Sequence, residues 1–93
     1  MPTPNLFNYQ VAVLGGGISG LVSAYRLLQQ GVGVTLFEAS DAPGGLGGTF
    51  GYRGAVMEQF YHVMLNSDAP LLSLLEELVL AGTIRWQETG MGF

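Results

Sequence analysis

The stretch LGGGISG, residues 14–20, contains four glycines within seven positions and separates two apolar runs. Before it, residues 9–14 have the composition of a short buried strand. After it, apolar residues recur at helical spacing over residues 21–28, and Gly31 is placed to end that helix. The apolar residues 33–38 then predict a second strand. This order predicts a βαβ unit with parallel strands and a right-handed crossover.

The glycine spacing Gly15-x-Gly17-x-x-Gly20 is typical of a dinucleotide-binding turn that follows a strand and opens a helix. The first glycine permits the tight turn, the second lets a diphosphate approach the backbone, and the third lets helix and strand pack closely. Backbone amides and the positive end of the helix dipole would then bind the diphosphate without a lysine.

An acidic residue ends the second predicted strand. Glu38 follows Gly20 by 18 residues (38 minus 20), where a carboxylate can accept hydrogen bonds from ribose hydroxyls and disfavours a 2′-phosphate. Taken alone, these residues also fit a tight turn followed by a solvated carboxylate. The full order of strand, glycines, helix, strand and acid favours a dinucleotide site.

The composition excludes several classes of protein. A hydrophobic fraction of 48% against 11% charged residues predicts a folded chain and apolar surface in excess of one small core. We expect that surface to meet a second copy or the remainder of a longer enzyme. The net charge of -4, without lysine, leaves no basic face for nucleic acid.

The chain has no cysteine, so it has no disulfide and no thiolate metal site, and we predict no metal site. Its first residues lack the basic start of a secretory signal. The apolar span 11–28 is interrupted by glycines, serines and Arg26, which argues against a membrane helix. These features predict a cytoplasmic protein without an integral membrane segment.

The second half of the chain gives weaker patterns. Residues 39–55 are rich in glycine and predict a loop or hairpin. A helix is predicted over about 68–81, with Ser67 or Asp68 as its cap, Pro70 in its first turn and Gly82 ending it. Residues 83–88, TIRWQE, are predicted as one further strand.

Residues 11–50 resemble the N-terminus of the FAD-dependent amine oxidase, protoporphyrinogen oxidase and phytoene desaturase superfamily. The resemblance includes a second glycine pair, Gly44-Gly45, six residues after Glu38 (44 minus 38), which ordinary NAD dehydrogenases lack. It implies that the segment after the acid passes close to the diphosphate and ribityl region of the flavin. Many members have an arginine after this pair, whereas this chain has Leu46.

Gly47 and Gly48 match the same close approach by position. Residues 57–82 look more like a branch of microbial protoporphyrinogen-oxidase-like and UDP-galactopyranose-mutase-like flavoproteins. The predicted cofactor-binding residues are Gly15, Gly17, Ile18, Ser19, Gly20, Glu38, Ala39, Gly44, Gly45 and Leu46.

The resemblance implies an α/β fold, an incomplete Rossmann-like βαβ FAD/NAD(P)-binding unit. Residues 1–93 would be the N-terminal part of an FAD-binding domain, with a βαβ core over 9–38 and a flavin-contact loop over 39–55. The implied function is the ADP-binding part of an FAD-dependent oxidoreductase that oxidises a C–N or C–C bond of a small molecule. Family members are several times longer, so the chain alone is expected to be inactive.

Three alternatives remain open from the sequence: a non-catalytic nucleotide-binding or dimerising module, a UDP-galactopyranose-mutase-like flavoenzyme, and an NAD-dependent enzyme. No catalytic residue is predicted. His62 either approaches the flavin or substrate, or has a structural role among its apolar neighbours. Arg53 either pairs with a phosphate or Glu58, or is solvated, and a solvated carboxylate is the simpler interpretation of Glu58.

Overall fold

The computed structural model describes residues 8–60 and 63–90. The chain divides into two compact units, Met1–His62 and Val63–Phe93. The helices and strands are β1 (Gln10–Leu14), α1 (Ile18–Gln29), β2 (Gly33–Phe37), β3 (Thr49–Tyr52), β4 (Ala55–Glu58) and α2 (Ala69–Glu77). Short 3₁₀ turns lie at Gly45–Gly47 and Ala81–Thr83.

In the first unit, β1 and β2 form a parallel pair joined by α1, with a register that runs from Gln10 opposite Gly33 to Leu14 opposite Phe37. The parallel pairing predicted from the sequence is therefore present. The architecture is a small α/β arrangement in which α1 contacts both strands. This arrangement places the end of β2 beside the turn between β1 and α1.

The helix α1 ends where the sequence predicts. The N–H groups of Gln30 and Gly31 donate to the carbonyl oxygens of Leu27 and Leu28, both at 3.0 Å. Gly31 has a φ of 84°, a left-handed conformation that favours glycine at the end of a helix. The chain then enters β2 through Val32, which is buried.

The apolar core of the first unit is small. Among the described residues, Ala24 of α1 and Val32 are the buried hydrophobic residues. Leu28, which follows the same helical spacing as Ala24, is 58% exposed, and Leu14 at the end of β1 is 82% exposed. Much apolar surface therefore stays in contact with solvent, as the composition predicts.

Residues 39–55, predicted as a loop or hairpin, contain a 3₁₀ turn and the start of an antiparallel hairpin of β3 and β4. The hairpin turn consists of Arg53 and Gly54, with φ values of 48° and 81°. Positive φ at both central positions is the requirement of a type I′ turn, whose twist matches that of paired strands. All eight strand residues are exposed (four in each strand).

In the second unit, α2 is shorter than the helix predicted over 68–81. Val79 adopts a φ of 59°, and the N–H of Leu80 donates to the carbonyl oxygen of Leu75 at 2.7 Å. A left-handed residue with this backward hydrogen bond ends a helix. Val79 therefore takes the role that the sequence assigns to Gly82.

Asp68 is the N-cap residue of α2, one of the two caps predicted. Its side chain makes no capping hydrogen bond to the helix. Its Oδ2 instead accepts the N–H of Leu65 at 2.8 Å. The carboxylate thus closes the turn before the helix.

The prediction of a strand over 83–88 is wrong. The chain forms the 3₁₀ turn Ala81–Thr83 and then continues without regular structure to residue 90. A strand needs a partner for its backbone groups, and the described part of the second unit contains none. Across residues 8–60 and 63–90, no helix has the length and apolar character required to cross a membrane.

Candidate dinucleotide-binding site

The turn between β1 and α1 is held by its backbone. Gly15 has a φ of 104°, and its N–H donates to the carbonyl oxygen of Phe37 at 2.7 Å. A Cβ atom on Gly20 would overlap the carbonyl oxygen of Gly15. Only a glycine at position 20 allows the first turn of α1 to lie this close to the end of β1.

The backbone N–H donors in the first turn of α1 have no side-chain acceptor from the N-cap residue. Gly17 is the N-cap residue, and it makes no side-chain capping bond; the first turn contains no acidic residue. The first N–H groups of any helix lack acceptors within the helix. Together with the positive end of the helix dipole, they suit an anion at Gly17, Ile18, Ser19 and Gly20.

Glu38 lies just after β2 and is bound by two different segments. Its Oε1 accepts the N–H of Gly16 at 2.8 Å. Its Oε2 accepts both the N–H of Ser40 at 2.8 Å and the hydroxyl of Ser40 at 2.6 Å. The acid predicted as a ribose acceptor therefore also ties the end of β2 to the glycine turn.

These hydrogen bonds lower the pKa of Glu38 from 4.5 to about 2. The Ser40 hydroxyl is the largest cause, followed by the Ser40 N–H and then the Gly16 N–H. Each donor favours the ionised carboxylate, and partial burial opposes this only weakly. Glu38 is consequently an anionic acceptor throughout the neutral pH range.

The second glycine segment packs directly against the first. The N–H of Gly44 donates to the carbonyl oxygen of Gly16 at 2.8 Å, and Gly17 and Gly44 form a parallel bridge. Gly44 and Gly45 have φ values of 127° and 56°. A Cβ on Gly45 would lie 3.0 Å from the Cα of Gly17. Two glycine motifs that are far apart in the sequence thus form one continuous backbone surface.

A cleft of about 760 Å³ adjoins these segments, a size within the range of small-molecule sites. Of the predicted cofactor-binding residues, Glu38 and Gly45 line it. The remaining lining residues are Ser40, Asp41, Ala42, Pro43, Gly47, Gly48, Thr49 and Gln59. The cleft therefore lies along the segment after Glu38.

The other predicted residues lie outside the cleft lining. Gly15, Gly17, Ile18, Ser19 and Gly20 form the adjacent turn and helix start, and Gly44 packs against that turn. Ala39 and Leu46 are exposed on the surface. Leu46 is 68% exposed and contributes no polar side-chain group.

Sequence reasoning missed Ser40 and Gly16, the two residues that bind the Glu38 carboxylate. A serine two residues after an acid at the end of a strand is a usable signal, because its hydroxyl and N–H can both reach the carboxylate. The contact with Gly16 had no such local signal. It depends on β2 lying beside β1.

The remaining candidates do not join the site. The Arg53 guanidinium lies 5.2 Å from the centre of the Tyr52 ring, at the tip of the hairpin. Glu58 is an exposed residue of β4. His62 lies outside the described residues. Over residues 8–60 and 63–90, no three potential metal-ligating side chains are grouped together.

Comparison with known proteins identifies the family. A family model described as "Flavin containing amine oxidoreductase" matches residues 18–92. The chain is 37% identical over 71 residues to protoporphyrinogen oxidase 2, chloroplastic/mitochondrial, of Arabidopsis thaliana, which covers 76% of this chain and 14% of that protein. It is 35% identical over 85 residues to coproporphyrinogen III oxidase of Staphylococcus aureus, covering 89% of this chain and 18% of that protein.

A shorter match is 56% identical over 36 residues to hydroxyneurosporene desaturase of Cereibacter sphaeroides, covering 39% of this chain and 7% of that protein. No solved structure gives a significant match. The chain spans less than a fifth of the length of each of these relatives. Because the family model matches most of its length, this chain belongs to the flavin-containing amine oxidoreductases of the FAD-dependent amine oxidase superfamily, and its cofactor is FAD.

Proposed function

We propose that this chain forms the ADP-binding part of an FAD-dependent oxidoreductase that oxidises a small molecule. The observation that carries the proposal is the meeting of the two glycine segments, with an ionised Glu38 bound to the first of them. In this proposal residues 9–38 are the Rossmann-like core and residues 39–55 the flavin-contact loop of a longer domain. The chain by itself is inactive, because the site for a substrate lies elsewhere in the protein.

The residues present fit this cofactor. The first turn of α1 supplies N–H donors for the diphosphate, and Gly17 has no side chain to obstruct it. Glu38 supplies a charged acceptor for the adenosine ribose, with three of the roughly four lone-pair positions of its carboxylate already used. The flavin, when bound, supplies the redox chemistry, while the protein binds and orients it.

An ionised Glu38 also favours a ribose with free hydroxyl groups over one with a 2′-phosphate. A phosphate beside a carboxylate adds like-charge repulsion, and no lysine in the chain compensates for it. We therefore expect ADP and FAD to bind, and 2′-phosphorylated nucleotides to bind much more weakly.

The substrate class follows the names of the relatives. Two relatives that match three quarters or more of this chain, at 76% and 89%, are oxidases of porphyrinogens by name, so we propose dehydrogenation of a porphyrinogen-type substrate as the reaction of the whole protein. One relative has chloroplastic/mitochondrial in its name. The cytoplasmic location of this protein therefore stays a prediction.

Replacement of Gly17 tests the proposal. A Cβ at position 17 would meet only the Cα of Gly45, at an ordinary 3.9 Å, and the φ of -73° suits alanine. Gly17→Ala should therefore leave the free energy of unfolding within about 0.5 kcal/mol of wild type. The substitution should nevertheless weaken the binding of ADP, because the new methyl group occupies the surface that the diphosphate approaches.

The measurement is calorimetric titration of the purified chain with ADP, FAD and 2′-phospho-ADP-ribose. Gly51→Ala is the matched control, since a Cβ there meets nothing within 4 Å. Equal ADP affinity in Gly17→Ala and Gly51→Ala would overturn the diphosphate assignment. No binding of ADP or FAD to the wild-type chain would overturn the proposal for this chain.

A further inference from the structure

Ser40 makes a paired contact with a single oxygen of Glu38. Its N–H and its hydroxyl reach Oε2 at 2.8 and 2.6 Å. The same hydroxyl oxygen lies 2.9 Å from the carbonyl oxygen of Ala42. A serine hydroxyl has one hydrogen, and the shorter contact to an ionised carboxylate is the stronger bond. The hydroxyl therefore donates to Glu38.

This contact limits how the Glu38 side chain can rotate. With Oε2 occupied by two donors from Ser40, Oε1 is the oxygen that reaches the N–H of Gly16. Without the hydroxyl, each carboxylate oxygen of Glu38 would accept one bond, and the two oxygens would no longer differ in their hydrogen bonding. The remaining acceptor position lies on Oε1, since Oε2 already accepts two bonds.

We propose that Ser40 is a positioning residue for nucleotide binding, whose hydroxyl holds Oε2 of Glu38 so that Oε1 is presented to a ribose hydroxyl. This inference rests on the proposed function, because it assigns the ligand of Glu38 as a nucleotide. The ligand class is an adenine nucleotide with free ribose hydroxyl groups. Ser40 itself acts through Glu38.

The electrostatic surroundings of Glu38 are simple. Asp41 is the other charged residue that lines the cleft. The glycine turn at residues 15–17, whose Gly16 N–H binds the carboxylate, and the Gly44-Gly45 pair that packs against this turn carry no titratable side chain. A change in the pKa of Glu38 after substitution of Ser40 would therefore report mainly the lost hydroxyl.

The test compares Ser40→Ala, Ser40→Thr and Ser23→Ala with the wild-type chain. Ser40→Thr keeps the hydroxyl at an exposed position. Ser23→Ala is the matched control, because it removes a hydroxyl that donates to the carbonyl oxygen of Ser19 at 2.8 Å and lies outside the cleft lining. Carbon-13 NMR of the carboxyl group gives the pKa of Glu38, and calorimetry gives ADP affinity between pH 7 and pH 4.

We expect Ser40→Ala to raise the pKa of Glu38 towards its ordinary value and to weaken ADP roughly 3- to 10-fold at pH 7, the scale of one hydrogen bond. The ratio of wild-type to variant affinity, which cancels the titration of ADP itself, should grow as the pH falls to 4. Ser40→Thr should restore both properties, and Ser23→Ala should leave both unchanged.

An unchanged Glu38 pKa in Ser40→Ala overturns the inference. So does an unchanged ADP affinity in that variant when the wild-type chain binds ADP. If the wild-type chain binds no adenine nucleotide, the proposed function fails and the nucleotide part of this inference fails with it. A raised pKa in Ser40→Ala would then still support the contact by which Ser40 holds Glu38.

Discussion

Two glycines of the candidate dinucleotide-binding site, Gly20 and Gly45, differ in their surroundings from three glycines elsewhere in the chain. At both positions an added Cβ would meet backbone atoms of the first glycine segment, residues 15–20, at 3.0 Å or less. At Gly51 in the hairpin, and at Gly82 and Gly90 in the second unit, it would meet nothing within 4 Å. A high glycine content therefore does not itself indicate close packing of the backbone, which occurs at Gly20 and Gly45 and not at these three glycines.

The two groups also differ in what they hold together. Around the site, backbone hydrogen bonds join residues from β1, the start of α1, the end of β2 and the second glycine segment. The hairpin instead holds two exposed strands through its own ladder. Substitutions at Gly20 and Gly45 should consequently have large effects on stability, and substitutions in the second group small effects.

The largest effect is expected at Gly20. Gly20→Ala places a methyl group against the Gly15 carbonyl, which is backbone and cannot move aside as a flexible side chain would. We expect a loss of about 3 kcal/mol in the free energy of unfolding, at the upper end of overpacking costs. Urea unfolding of the purified chain measures this loss, with Gly51→Ala as control. Equal stability of the two variants would show that the close backbone approach at Gly20 does not affect folding.

A smaller effect is expected at Gly45, where two causes combine. Its φ of 56° disfavours a side chain, and a Cβ would press on the Cα of Gly17. Gly45→Ala should cost about 1–2 kcal/mol. It should also weaken the bond from the Gly44 N–H to Gly16, which amide hydrogen exchange detects at Gly44. Unchanged protection of the Gly44 amide would show that the packing of the second glycine segment does not depend on its close approach to Gly17.

The smallest effect is the pH dependence that Glu38 contributes. Its pKa is about 2 when folded and 4.5 as its ordinary value, so the ionised carboxylate stabilises the folded chain fully above pH 4.5. That contribution is lost as the pH falls from 4.5 to 2. Unfolding in urea at pH 6 and pH 2.5 should show a smaller pH effect in Glu38→Gln than in wild type. Identical pH effects in Glu38→Gln and wild type would mean that the carboxylate does not join the end of β2 to the glycine turn.

Much of the fold near the site is predictable from local patterns. The strands, the helix between them and the end of that helix at Gly31 follow from apolar spacing and from the left-handed conformation that glycine tolerates. The close approach at Gly20 follows from the glycine spacing. These features depend on short stretches of chain, so their signals are local.

Patterns in the second unit were less reliable for a physical reason. Residues 83–88 have a composition suited to a strand. Strand formation requires a neighbouring strand, and the described part of this unit provides none. Similarly, Val79 ends α2 although valine rarely adopts a positive φ. The missing partner strand at residues 83–88, and the hydrogen bonds that close the end of α2 at Val79, decide the outcome against local preference.

The family, the βαβ order, the glycine turn and the acid after β2 can be read from the amino-acid sequence, because each depends on the spacing of residue types along a short stretch. The hydrogen bond from Gly44 to Gly16 and the position of Glu38 between Gly16 and Ser40 are visible only in the folded chain. The contacts with Gly16 join residues 22 or more positions apart (38 minus 16, and 44 minus 16). They form because parallel pairing of β1 with β2 brings both chain segments to one edge of the sheet.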